Sequence, residues 1–410
     1  MHVLIICESF PPETKSASTL YYQLAESLVK KNHRVTVVTR MPKYNLADGA
    51  TTKNVPRREN LDGIDIHRLQ TPTVARNIPL IRGFEHFLLA FIFFWGAFAI
   101  KDVDVILVYS PPLPLGIAGH YLGKIKKTPV VVNVQDLIPQ GIIDIGLLKN
   151  KFLIKLSKMM ERFVYQKADY LTVPSDGHVT YLLKKGAAPG RAATVHNWVD
   201  VNIIKPAAKT NAFSQQYKLG NKFIVSFAGT IGFGQGLSVV IEAAEILRNQ
   251  PDILFVLVGD GVEKKKLQDR AESKHLNNVL FIPTQPVSIY PQILHASDVC
   301  LVTLRKELTT PTVPGKLASI LAAGKAVITS LPLGGDTPKI VDKFQCGICV
   351  KPDDSQELAK AVLKLYNNRQ LGEQMGLNGR RAAEQSFSRD SAVFAYEEIF
   401  QNLLKGWNHV

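Results

Sequence analysis

Three loops in the second half of the chain carry residue types suited to holding an anion. The first, Ala228-Gly-Thr-Ile-Gly-Phe-Gly-Gln-Gly236, has four glycines in nine residues between an apolar run and an amphipathic one. Backbone N–H groups of such a loop, with the helix start behind it, can approach a phosphate. A flexible turn would use the same glycines. The spacing also differs from the dinucleotide fingerprint G-x-G-x-x-G. The second loop, Gly259-Asp260-Gly261, directly follows an apolar run and fits a tight turn as well as a ligand contact. The third runs from Thr310 to Gly324. Pro314 suits a first helical turn there, and Gly324 suits a left-handed helix end. Lys316 then falls in the first turn, where the helix macrodipole favours an acid. A bound anion would account for a cation at that place, and so would ordinary solvation.

The first half offers fewer candidates. The stretch Glu13-Thr14-Lys15-Ser16-Ala17-Ser18 lies between a strand and its helix and could approach the same ligand. Asn133-Val-Gln135-Asp136 ends a buried strand with an acid, which serves as a helix cap or faces a ligand. His196 ends the last strand-like piece of this half. None of the ten histidines has metal-ligand spacing, so zinc chemistry is not expected. The only D-x-D spelling, Asp102-Val-Asp104, opens a predicted strand at the wrong end for a ligand. No G-x-S-x-G elbow and no P-loop lysine motif occurs. Cys346-Gly-Ile-Cys349 sits in a strand-like run, where residues three apart point to opposite faces, so no metal or redox role is expected.

Alternating apolar and amphipathic runs must position these loops. VLII (3–6), VTVVT (35–39), VDVILVYS (103–110), PVVVNV (129–134) and YLTVPS (170–175) read as strands, with a helix over about 17–31. The order restarts with FIVSFAGT (223–230), a helix through about 237–249, and LFVLVGDG (254–261). VLFI (279–282), VCLVTL (299–304), AVIT (326–329) and GICV (347–350) follow. Near-continuous apolar strands between helices predict parallel sheets covered on both faces. Two Rossmann-like lobes are expected, with ligands beyond the carboxyl ends of the strands and a cleft between the lobes as the default site. The predicted division is 1–200, a polar, Pro-containing hinge at 201–221, a second lobe at 222–385 and a C-terminal helix at 386–410. That helix is a candidate to cross back to the first lobe.

Charge sharpens the choice of partner. The chain holds 49 Lys+Arg against 35 Asp+Glu, a net +14. Residues 1–200 carry 25 basic and 16 acidic side chains, leaving 24 and 19 for 201–410, so the first half is the more basic. An anionic partner is therefore expected to meet it. Four cysteines, two of them in apolar runs, fit a reduced cytosolic protein. MHVLIICESFPP lacks the basic start of a signal peptide. The apolar run Phe87–Ile100 would span about 21 Å as a helix, against about 30 Å of hydrocarbon, too short to cross. Beside it in composition is the segment 149–167, where Lys151, Lys155, Lys158 and Arg162 form one stripe next to Phe152, Leu156, Met159 and Phe163. Both segments suit an anionic membrane interface. A core helix and a solvated face are the competing readings. The basic residues are not interleaved with aromatic stacking platforms, so nucleic acid is not an expected partner.

These pieces together resemble the retaining glycosyltransferases of family four, which have the GT-B fold. The likeness rests on ICESFPPE (6–13), VQDLIPQGI (134–142), FAGTIGFGQGL (227–237), LVGDG (257–261), HASDVCLVTL (295–304) and VPGKLASILAAGKAVI (313–328), in family order over nearly the whole chain. Within the family it is most similar to the branch that builds O-antigens and capsules, including N-acetylfucosamine transferases. The resemblance implies that the second lobe binds a nucleotide-sugar, which is substrate and not cofactor. Lys316 would be catalytic. Gly229, Thr230, Gly232, Gln235 and Gly236 would cradle the diphosphate, with Asp260 beside them. Pro286 and Val287, in the segment 283–287, would meet the base, and Pro314, Gly315, Leu317 and Ser319 the rest of the donor. Asp136, as the second catalytic residue, and Thr14, Lys15, Ser16 and Gln135 would line the acceptor side.

The chain also departs from the family pattern. Thr230 and Gln235 stand where many members carry Arg and Lys, Pro311 and Ser319 replace the two family glutamates, and Gln135 replaces a histidine. Diphosphate charge would then rest on Lys316, backbone amides and helix ends. The expected activity is metal-independent transfer, with no cofactor, from a UDP-linked N-acetylhexosamine or deoxy relative. The acceptor would be a polyprenyl-diphosphate-linked saccharide, used at the inner face of the plasma membrane. The alternatives are a nucleotide-sugar epimerase on the same fold and a non-catalytic membrane-associated partner of a glycan assembly complex.

Overall fold

The computed structural model describes residues 1–43, 46, 55–72, 79–144, 146–308 and 310–407, with side chains of the helix that starts at 79 described from Phe84 on. The chain divides into two units, Met1–His196 with the stretch from Arg389, and Asn197–Ser388. Each is built on its own sheet.

In the first unit the elements are β1 (His2–Ile6), α1 (Ser16–Lys30), β2 (Arg34–Arg40), β3 (Arg58–Leu61), β4 (Ile64–Leu69), α2 (Pro79–Phe98), β5 (Val105–Ser110), α3 (Leu113–Lys126), β6 (Val130–Val134), α4 (Gln140–Asp144), α5 (Lys151–Lys167), β7 (Tyr170–Val173), α6 (Asp176–Lys184) and β8 (Ala192–Thr194). The sheet order is β3-β4-β2-β1-β5-β6-β7-β8, parallel except for the β3–β4 hairpin. Every residue of β1 and β6 is buried, as a strand covered on both faces requires. Helix α3 approaches α5 through Gly116 and the sheet through Gly119 and Gly123. A Cβ at these sites would stand 2.8, 2.6 and 2.3 Å from Val164, Val108 and Val130.

The predicted fourteen-residue apolar helix is a twenty-residue one, α2. Leu89, Ala90, Phe93 and Ala97 repeat at helical spacing and enter the core. Burying each large side chain there contributes about 1.5–3 kcal/mol. Length therefore does not decide the membrane question, whereas packing of one face does. No helix among the described residues is long and apolar enough to cross a membrane.

The second unit contains α7 (Ala212–Gln216), β9 (Phe223–Ala228), α8 (Ser238–Ile246), β10 (Ile253–Val258), α9 (Lys264–Ser273), β11 (Val279–Ile282), α10 (Tyr290–Ala296), β12 (Val299–Thr303), α11 (Lys316–Ala322), β13 (Ala326–Ser330), α12 (Asp336–Phe344), β14 (Gly347–Val350), α13 (Ser355–Asn367) and α14 (Arg369–Ser386). Its six strands are all parallel, in the order β11-β10-β9-β12-β13-β14. The order reverses between β9 and β12, the place where open α/β sheets bind ligands. These two strands pair over only Val299↔Val225 and Cys300↔Ser226, while β9 and β10 pair over six residues. The carboxyl ends of β9 and β12 are thus free to part.

The stretch expected as a hinge, 201–221, falls within the second unit. Asn211 and Ser214 form a capping box on α7, and Phe213 and Leu219 are buried with Ile224 and Ile293. In the Cys346–Cys349 pair only Cys349 lies in β14, so strand alternation does not separate the two. Both thiols face carbonyls of α12, Val341 and Pro338 respectively, and burial pushes Cys346 up to about 12. Both are free cysteines.

The last helix, α15 (Arg389–Trp407), packs in the first unit. Its Val393, Tyr396, Ile399 and Phe400 are buried. Arg389 donates to Ser27 at 2.7 Å, and Glu397 pairs with His33 at 2.9 Å.

Candidate active site

In the second unit the carboxyl ends of four neighbouring strands carry the candidate loops. The loop after β9 lies backbone to backbone against the loop after β10. Gly229 N–H donates to Val258 O and Ile231 N–H to Asp260 O, both at 2.9 Å. Gly259 and Gly261 adopt φ of +146° and +156°, and a Cβ on either would stand 2.0 or 2.3 Å from the carbonyl oxygen of Gly229 or Ile231. These two glycines exist for close approach. Asp260 between them ties loops together: its carboxylate accepts from Lys264 at 2.5 Å and from Thr284 N–H at 2.8 Å. Those contacts, the Lys264 bond first, hold it down at about 2. On the other side, Arg305 N–H donates to Gly234 O at 3.1 Å, and Gly236, at φ +62°, leaves room for the Arg305 backbone.

Lys316 is the first residue of α11, so Pro314 precedes the helix and Gly315 caps it. The lysine is not solvated as a first-turn side chain would be. It is half-buried, with Nζ 3.7 Å from the centroid of the Phe227 ring and donating to Gln235 Oε1 at 3.2 Å. Phe227 packs with the α8 and α13 side of the sheet, whereas α11 packs with Cys300 and Val302 on the other. The side chain therefore reaches across the carboxyl edge between β9 and β12. Burial alone lowers its pKa, to about 7. Gly229 borders the same space: a Cβ there would be 3.2 Å from Nζ.

The remaining donor-side candidates separate by exposure. Thr230, Gly315, Pro286 and Val287 are exposed, and Gly232 is half-buried. Pro286 and Val287 adjoin a 3-10 turn, Val287–Ile289, just past β11. Leu317 is different, being fully buried in the core beneath α11, so its side chain cannot face a ligand. Ser319 is hydrogen-bonded to the buried phenol of Tyr290.

In the first unit, Glu13 is turned inward and is buried. It accepts from the Ser9 hydroxyl at 2.5 Å and from Lys43 N–H at 2.9 Å, so it anchors the loop instead of facing a ligand. Lys15 lies 3.6 Å from it as the residue before α1, with Thr14 and Ser16 exposed on either side. Gln135 donates to Asn133 Oδ1 at 2.8 Å, and that oxygen also accepts from the Tyr21 hydroxyl at 2.9 Å. Gln135 thus ends a buried polar chain. Asp136 keeps solvent contact just past β6, yet the protein around it raises its carboxyl above the ordinary range. His196 bonds Pro174 O at 2.8 Å. Asp104 accepts from His2 N–H at 2.6 Å, at the amino end of the sheet and away from the candidate loops. Among the described residues no three His, Cys, Asp or Glu side chains gather as metal ligands would.

Comparison with known proteins meets this geometry from both halves. Residues 17–198 match the family described as "Glycosyl transferase 4-like domain", and residues 209–382 match "Glycosyl transferases group 1". The chain is a group 1, 4-like glycosyltransferase. The enzyme is 24% identical to the putative colanic acid biosynthesis glycosyl transferase WcaI of Escherichia coli K12, over 88% of this chain and 91% of the relative. Sucrose-phosphate synthase of Thermosynechococcus elongatus shares its fold with a TM-score of 0.80 at 18% identity, over 99% of this chain and 100% of the other. HepE of Anabaena, solved in complex with UDP, gives 0.74 at 19% identity, over 98% and 100%. The fold of this glycosyltransferase is GT-B.

Within the glycosyltransferase, Phe227, Arg305 and Tyr290 are the site neighbours that sequence reasoning missed. Phe227 ends an apolar strand like any core residue, and nothing local marks it as the seat of a lysine 89 positions later (316 − 227). Arg305, the cation beside the glycine loop, was legible as a charge following β12. Both apolar segments of the first unit also expose a face. Phe84, Phe87, Phe91, Trp95 and Phe98 form one exposed row along α2, and Phe152, Leu156 and Met159 lie exposed beside the lysines of α5.

Proposed function

We propose that this glycosyltransferase moves a sugar from a UDP-linked N-acetylhexosamine, or a deoxy relative, to a polyprenyl-diphosphate-linked saccharide, with retention at the anomeric carbon. The setting is assembly of a bacterial O-antigen or capsule at the cytoplasmic face of the plasma membrane. The single observation that carries the reading is Lys316, held between Phe227, Gln235 and the glycine loop where the strand order reverses. Resemblance to the O-antigen and capsule branch and the colanic acid relative support the pathway class. The UDP complex of a structural neighbour supports the donor.

Breaking the bond between the anomeric carbon and the diphosphate leaves negative charge on the nucleotide. Preorganised donors stabilise such charge best where water is excluded. Lys316 and the N–H groups of the 229–236 loop fill that role, so no step calls for a divalent ion. Asp136 serves the acceptor side, where a carboxyl raised above its usual range can share the proton of an attacking hydroxyl. The exposed aromatic row of α2 and the basic stripe of α5 seat the enzyme on an anionic interface, where its lipid-linked acceptor resides.

The test is turnover of a panel of nucleotide sugars with extracted polyprenyl-linked acceptors, with and without EDTA, followed by the anomeric configuration of the product. Transfer with retention that survives EDTA is expected. Inversion, a strict need for Mg²⁺ or Mn²⁺, or epimerised donor formed without acceptor would overturn the corresponding part of the reading.

A further inference from the structure

We propose that Gln235 is a positioning residue that aims Lys316, and that the donor diphosphate is bound together with one proton taken up from solvent at Lys316 Nζ. The inference rests on Lys316 being the diphosphate ligand, as argued above. An ammonium offers three N–H donors and attracts carboxylates. At Lys316 the partners are a ring face at 3.7 Å and one neutral amide oxygen at 3.2 Å. That distance is longer than the roughly 2.7–2.9 Å of a charge-assisted bond.

Among the described residues of the second unit, none supplies a counter-charge. From Phe227 to Leu237, and from Thr310 to Ala323, Lys316 is the sole titratable side chain. Arg305 lies against Gly236 and faces Glu307 at 3.4 Å. Asp260 is turned to Lys264, Asp336 at the start of α12 pairs with Lys339 at 3.6 Å, and Tyr290, one turn along α11, meets Ser319. Among the described residues, burial is what lowers the proton affinity of Lys316, with no charged group beside it as a cause. A desolvated lysine with no anion is poised to hold its amine neutral near pH 7–8, and an arriving diphosphate supplies the missing anion. The step balances as R–NH2 plus one solvent proton giving R–NH3⁺, with the phosphate oxygens accepting its N–H groups. Gln235 fits this role because its amide orients the amine without charging it in advance. A carboxylate at 235 would fix the proton before the donor came and would repel the phosphates.

Isothermal titration of UDP into the full chain at pH 8, in two buffers of different protonation enthalpy, counts the protons taken up. For the wild type we expect about 0.5–1 proton per UDP. Lys316→Arg stays charged at all working pH values and should bind UDP with uptake near zero. Gln235→Glu should also lose the uptake and bind roughly tenfold or more weakly, with its melting temperature checked to show that it folds. Uptake that persists in Lys316→Arg, or a wild type that takes up none while Lys316→Met binds at least tenfold more weakly, overturns the coupling and leaves Lys316 as ligand. Lys316→Met binding UDP as tightly as the wild type overturns the donor-site reading itself.

Discussion

A Cβ on Gly259 would stand 2.0 Å from the carbonyl oxygen of Gly229. The loop after β10 is thereby pressed onto the loop that borders Lys316, and neither can shift without the other. Gly259→Ala adds this clash to a backbone at φ +146°, a strain of about 1–3 kcal/mol before any displacement. Lower melting temperature and roughly tenfold weaker UDP binding are expected together. Gly372→Ala, in α14 with open space at its Cβ, should leave binding unchanged and stabilise slightly. Normal UDP affinity in a folded Gly259→Ala protein would show that the two loops are independent.

The lowered pKa of Lys316 makes a stability prediction with a definite sign. In the unfolded chain the lysine titrates near 10.5, and in the folded protein at about 7. Between these values the unfolded state binds more protons, so stability should rise with pH through that window. Below about pH 7 both states are charged, and the folded protein carries the full cost of a desolvated ammonium. Lys316→Met removes that cost, so its gain in melting temperature over the wild type should be larger at pH 6.5 than at pH 9.5. A gain that is constant or grows with pH would contradict the desolvated setting of this lysine.

The exposed row on α2 and the basic stripe on α5 belong to one unit, and each alone has a bland use. Their joint use predicts binding to anionic vesicles that weakens as salt screens the lysines. Trp95→Ser with Phe91→Ser, both outward-facing, should reduce vesicle binding without unfolding the enzyme, since the core side of α2 is Leu89, Phe93 and Ala97. Co-sedimentation with vesicles at low and high salt is the measurement. Binding indifferent to salt would remove the lysines from the account, and no binding at all would remove the surface.

What the sequence disclosed follows from how local each cause is. Apolar β-runs such as Val130–Val134 and Val299–Thr303 announce central parallel strands, and Gly324 at φ +67° ends its helix where the residue type required. The β3–β4 hairpin was passed over although Asp62-Gly63 spells its turn, because its strands are short and charged at the sheet edge. Residues 201–221 read as a linker by their polarity, yet Phe213 and Leu219 hold the segment to the second unit. For the site, the glycines and Lys316 were visible as types and spacings. The half-burial of Lys316 was not, since it is caused by Phe227, which is distant in sequence and unremarkable in its own strand. The inward turn of the Leu317 side chain was hidden for the related reason that a motif marks positions while packing decides which of them face inward.

The central claim is that Lys316 holds the donor diphosphate, and the most direct test is kcat/KM of Lys316→Ala with the donor the enzyme turns over. Loss of one such charge-assisted donor costs on the order of 10²–10³-fold in oxyanion sites, and that loss is predicted here in a protein that remains folded. Lys316→Arg should recover only part of it, because the guanidinium fork is larger and directs its N–H groups differently from an ammonium. Lys265→Ala, at an exposed pair with Asp269, is the control and should be nearly silent. If Lys316→Ala keeps more than about a third of wild-type kcat/KM, a change below ~1 kcal/mol, Lys316 is not the diphosphate ligand and the donor site lies elsewhere.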